Sequence, residues 1–71
     1  MIYVDTLVEY PHECFDHRRW AHLWTDGDIE ELHEFAARIG LRRQWFQQHH
    51  TLPHYDVTPS KRAMALEAGA V

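Results

Sequence analysis

The stretch His54-Tyr55-Asp56-Val57-Thr58-Pro59 constrains this chain more than any other six residues. Alternation along an extended segment sends His54 and Asp56 to one face and Tyr55 and Val57 to the other. Thr58 offers a hydroxyl cap, and Pro59 stands where a first helical residue needs no N–H. A strand with one polar and one apolar wall therefore runs straight into a helix. That junction is a common way to build a site, although it names no reaction.

The remaining elements follow from pattern. Residues 2–8 are rich in β-branched side chains and read as a strand. Residues 9–18, broken by Pro11, read as a loop. Trp20 to Thr25 reads as a second strand, with Ala21 and Leu23 on one face and Trp20, His22 and Trp24 on the other. Asp28-Ile29-Glu30-Glu31 is a capping-box pattern. The helix it opens is expected to run to Ile39 and stop at Gly40 in the left-handed C′ conformation. Ile29, Leu32, Phe35, Ala36 and Ile39 form its apolar stripe. Residues 41–46 suit either a strand or a short helical turn, and 47–53 an exposed loop. A second helix is expected from Pro59 to about Ala68, with Ala70-Val71 beginning a last strand.

These elements predict one α/β domain over residues 1–71: a small mixed sheet of three to four short strands in the order β-β-α-β-α, with two helices packed on one face. If the strands are neighbours, Ile2, Val4, Ala21, Leu23, Tyr55 and Val57 face the helices. Tyr3, Asp5, His22, Trp24, His54 and Asp56 then share the opposite face. A chain of 71 residues buries only about 60% of its unfolded surface, so homo-oligomerisation is expected. Three Trp, three Tyr and three Phe offset part of that shortfall.

Charge and cysteine content narrow the setting. The net charge of −4 argues against general nucleic-acid binding. Residues 35–71 nevertheless hold five bases against two acids, a local balance that can meet phosphate. A single cysteine, Cys14, excludes an internal disulfide and suits a reducing cytosol. Its neighbours Glu13 and Asp16 would raise its pKa and make it a poor nucleophile. No signal peptide or membrane-spanning apolar run is present, so a soluble cytoplasmic protein is expected. Ser60 is the only serine and lies at a helix start, so no Ser-His-Asp triad can be argued.

The order of motifs resembles a small bacterial and phage domain family of unassigned function. The resemblance rests on Tyr3-Val4-Asp5, Trp20-Ala21-His22-Leu23, Asp26 and Glu31-Leu32-His33-Glu34-Phe35-Ala36. It continues through Gly40-Leu41, Arg43, Trp45-Phe46, His54-Tyr55-Asp56-Val57-Thr58, Lys61-Arg62-Ala63 and Gly69-Ala70. It implies a ligand site built from the polar and aromatic motif residues, and a phage protein acting in a bacterial host cell.

Three functions compete. The first is binding of a small phosphorylated, nucleotide-type ligand, with sequestration of a host nucleotide signal as its use and no cofactor required. Arg43, Lys61 and Arg62 would hold phosphate, Trp24 or Trp45 would stack on the ring, and His22, His54 and Asp56 would read polar edges. The second is a divalent-metal-dependent phosphoesterase or nuclease, with Asp5, His22, His54 and Asp56 as ligands and His33 a further member of the cluster. His33, at about 95° from the centre of its helix stripe, is otherwise expected to cover the core edge. The third is a protein-interaction module that inhibits a host protein.

Overall fold

A computed structural model describes the backbone at residues 1–14 and 17–71 and the side chains at 1–9 and 19–71. Five strands form one sheet: β1 (Ile2–Val4), β2 (Val8–Cys14), β3 (His17–Thr25), β4 (Phe46–Gln47) and β5 (His54–Val57). Helix α1 (Ile29–Arg38) follows β3, and α2 (Pro59–Glu67) follows β5. A single 3₁₀ turn, Arg43–Trp45, leads into β4, so both readings of residues 41–46 are partly met.

The order across the sheet is β1-β3-β5-β4, with β2 also on β3, and all four ladders are antiparallel. A parallel alignment enters through Val71, whose N–H donates to Ile2 and whose carbonyl accepts from Val4, on the outer edge of β1. Strands β1 and β2 share one side of β3 end to end. From Val4 to Val8 is four residues, while their partners Leu23 and Trp20 are three apart. The extra residue makes a bulge at 5–7, and Asp5 sits in it.

The apolar wall of the sheet is as the alternation dictates: Ile2, Val4, Ala21, Leu23, Tyr55 and Val57 are all buried. Leu32, Phe35, Ala36 and Ile39 of α1, with Ala65 of α2, Leu41 and Ala70, close over it. Leu23, Leu32 and Val57 lose all exposure, each gaining about 1.5–3 kcal/mol from transfer out of water. Asp28 caps α1 through the Glu30 N–H, and Thr58 caps α2 through the Lys61 N–H. Gly40 holds φ +83 just beyond α1, as a C′ glycine does.

Some expected boundaries need correction: the strand expected over residues 2–8 ends at Val4 and resumes at Val8, residues 9–14 are strand rather than loop, and β3 begins at His17 rather than Trp20. Together they extend a hairpin whose ladder bonds satisfy the backbone without an apolar pattern to announce it. Ile29 is exposed rather than part of the buried stripe, because the first residue of α1 overhangs the end of the layer. The expected acidic setting of Cys14 lies outside the described side chains.

Candidate functional site

The polar wall of the sheet draws its side chains from neighbouring strands. In the β3–β5 ladder His22 stands directly opposite Asp56, and His54 lies two residues from Asp56 on the same face. His22 Nε2 is 4.0 Å from Asp56 Oδ1, and His54 Nε2 is 3.3 Å from the same oxygen. The two imidazoles meet edge to face, 4.7 Å between ring centres. One donor atom from each of the three residues lies within 4.8 Å of the other two.

What turns proximity into a site is the other nitrogen of each ring. His22 Nδ1 lies 2.8 Å from Asp5 Oδ2, and a carboxylate can only accept there. His54 Nδ1 lies 2.6 Å from the Leu52 carbonyl oxygen, again an acceptor only. Both rings therefore carry a proton on Nδ1, and in the neutral ring that tautomer places the lone pair on Nε2, toward Asp56. Nitrogens pinned in this way by a carboxylate or a carbonyl are the usual surroundings of metal-bound histidine. Two imidazole nitrogens and one carboxylate oxygen suit zinc and the borderline transition metals rather than magnesium or calcium.

Asp5, expected as a ligand, stands behind His22 instead. Its Oδ1 accepts the His22 backbone N–H at 2.6 Å and its Oδ2 the Nδ1 proton, so both oxygens are engaged. The bulge explains this, because it withdraws a backbone acceptor from the β3 ladder and the carboxylate replaces it. Arg62 secures the same residue from α2, with Nε donating to the Asp5 carbonyl at 2.7 Å.

The other expected residues disperse. Arg43 is engaged by Glu30 of α1 at 2.7 Å, and Lys61 donates to the Ile39 carbonyl at the end of α1. Both are thus held at the α1 side of the fold. Trp45 is exposed beneath the Arg42 guanidinium, 5.8 Å from its ring, while Phe46 packs against the core. Trp24 does belong to the polar wall. It stacks on Tyr3 at 5.6 Å and 24°, and the Tyr3 hydroxyl donates to Asp26 at 2.9 Å.

His33 is on the opposite side of the sheet, its Nδ1 2.7 Å from the Tyr55 hydroxyl and its ring against Phe46. Burial raises the Tyr55 pKa, so it remains a phenol. Asp26 is held below the usual carboxylate range, chiefly by the N-terminal ammonium and then by Tyr3. A hollow of about 610 Å³ also lies on the helix side, lined by Ile29, Glu30, His33, Arg43, Phe46 and Pro53 among others. It is not over the metal-suited cluster, which is a shallow and accessible part of the sheet.

Two contributors were invisible as residue types. The Leu52 carbonyl is a backbone atom and carries no side-chain signal. His49, read only as loop, has its ring centre 6.2 Å from that of His54; a total of seven histidines in one short chain was the available hint.

No helix among the described residues is long and apolar enough to cross a membrane. A family model described as a protein of unknown function, DUF4031, matches residues 2–71. No curated protein and no solved structure matches the chain.

Proposed function

Because the chain belongs to DUF4031, a family of unknown function, we propose its role from geometry: a divalent-metal site that acts on a phosphorylated, nucleotide-type ligand. His22 Nε2, His54 Nε2 and Asp56 Oδ1 are the protein's ligands, and Asp5 and the Leu52 carbonyl orient the two rings. The single observation that carries this reading is the pinning of both Nδ1 atoms, which leaves two lone pairs and a carboxylate converging.

Three protein ligands on an accessible face leave a coordination position for water, the arrangement of catalytic rather than structural zinc. A divalent metal held by His22, His54 and Asp56 would lower the pKa of a bound water toward about 7 and so supply a nucleophile for hydrolysis of a phosphoester. Trp24, steadied by Tyr3, lies on the same wall and offers a face to a base. If the ligand is held without turnover, the same site serves sequestration of a nucleotide signal, in the bacterial and phage setting that the family resemblance implies.

Calorimetric titration with Zn²⁺, Mn²⁺ and Mg²⁺ tests the site. Zinc or manganese is expected to bind in preference to magnesium, and His54→Ala to abolish binding while the fold persists. Binding that survives His54→Ala would overturn the reading. Nucleoside mono- and diphosphates added to the metal-loaded protein then separate hydrolysis from sequestration by whether the ligand is recovered intact.

A further inference from the structure

Three histidines gather at this end of the polar wall, and their partners divide them into two kinds. His22 and His54 direct their Nδ1 protons at oxygen and keep Nε2 bare. His49 is held the other way. The Thr51 backbone N–H donates to His49 Nδ1 at 3.3 Å, and Thr51 Oγ1 lies 2.8 Å from the same nitrogen. An amide N–H cannot accept, so Nδ1 is the acceptor and the ring proton sits on Nε2. His50 stacks against this ring at 5.0 Å and 14°.

A nitrogen that carries a proton does not ligate a cation; it donates to an anion. The charge of the site asks for such a donor. A divalent ion on two neutral imidazoles and one carboxylate keeps a net charge of +1 over its ligands, which attracts an oxyanion. Of the cations expected to receive phosphate, Arg43 and Lys61 are engaged elsewhere and Arg62 gives its Nε–H to the Asp5 carbonyl. His49 is a donor beside the cluster, its ring 6.2 Å from that of His54.

We propose that His49 Nε2–H is an anion-binding donor of this site, contacting one oxygen of a phosphate-type group whose other oxygen rests on the metal. The Thr51-fixed tautomer distinguishes it from the two metal ligands, so one wall presents two acceptors to a cation and one donor to its counter-anion. The inference rests on the metal reading above and adds to it the chemical class of the second ligand and the residue that receives it.

The test uses the full chain loaded with Zn²⁺ and titrated with inorganic phosphate. His49→Ala is expected to keep zinc affinity within about twofold and to weaken phosphate binding about tenfold, equivalent to about 1.4 kcal/mol. His49→Gln, whose amide N–H extends about as far as Nε2, is expected to recover part of that loss. Unchanged phosphate affinity in His49→Ala, with zinc bound normally, overturns this inference alone. A parallel fall in zinc affinity overturns it too, since His49 would then be a metal ligand. Failure of zinc to bind the unaltered chain overturns the metal site itself and the inference with it.

Discussion

Asp5 decides the chemistry of a neighbour it does not share a strand with. Both its oxygens accept from His22, one from the backbone and one from Nδ1. Asp5→Asn keeps the shape but puts an amide N–H where the second acceptor was. His22 must then accept at Nδ1 and carry its proton on Nε2, where it can no longer ligate. Zinc affinity is expected to fall about 10- to 100-fold with little change in the thermal midpoint, measured by calorimetry and circular dichroism; an unaltered zinc affinity would show that the tautomer does not matter. Asp26 has a different kind of effect. Its carboxyl is depressed and the Met1 ammonium raised by their mutual contact. The carboxylate's contribution is present above about pH 4 and is lost as pH falls through the folded value; the ammonium's is present below about pH 8 and is lost as pH rises through its own. Asp26→Asn is therefore expected to lower the melting temperature above about pH 4, by most below about pH 8 where the ammonium is also charged, and to converge with the wild type once pH falls below the folded value of Asp26. A difference that persists at pH 2 would assign the effect to something other than charge.

Each secondary-structure element was legible to the degree that burial wrote its pattern into the side chains. Helix α1 and the β5–α2 junction carry caps, alternation and an apolar stripe, and both stand where the sequence places them. The ladder of β2 and β3 does not, because polar residues and Pro11 obscure the alternation of β2. The same limit applies to the site. Alternation was enough to put His22, His54 and Asp56 on one wall, since a one-residue slip would have exposed Leu23 and Tyr55. It could not reveal a bulge at 5–7, a carbonyl at Leu52 or the Glu30 partner that draws Arg43 away, since these depend on register and on distant backbone. Gly40 shows how closely the ends of two elements meet. It sits at φ +83, and a Cβ there would come within 2.8 Å of Lys61 Nζ, which itself bonds the Ile39 carbonyl. Gly40→Ala combines left-handed strain with displacement of that lysine and is expected to cost about 1–2 kcal/mol in urea denaturation. A neutral result would mean that the lysine tail moves aside freely and that the turn relaxes.

The whole molecule sets its site on the wall that its core does not use. Among the described residues, thirteen buried apolar ones lie on the helix side, while His22, His54 and Asp56 keep part of their surface in solvent on the other. None of the three belongs to that core, so replacing them is expected to cost far less stability than replacing a core residue. With metal, function and stability become linked, because the ion ties β3 to β5 and binds only when the two strands are in register. Zinc at a hundred times its dissociation constant is expected to add about 2.7 kcal/mol, and a domain of this size gains roughly 4–8 °C for each kcal/mol. The melting temperature should therefore rise by roughly 10–20 °C with zinc and return with chelator. His22→Ala should melt at about the apo temperature of the wild type and fail to respond to zinc. A histidine-rich unfolded chain that also binds zinc would reduce the rise, but would reduce it equally in a variant that keeps all its histidines and lacks only Asp56. Asp56→Asn thus separates the two effects: loss of the rise in that variant places the zinc in the folded site, and retention of it places the zinc elsewhere.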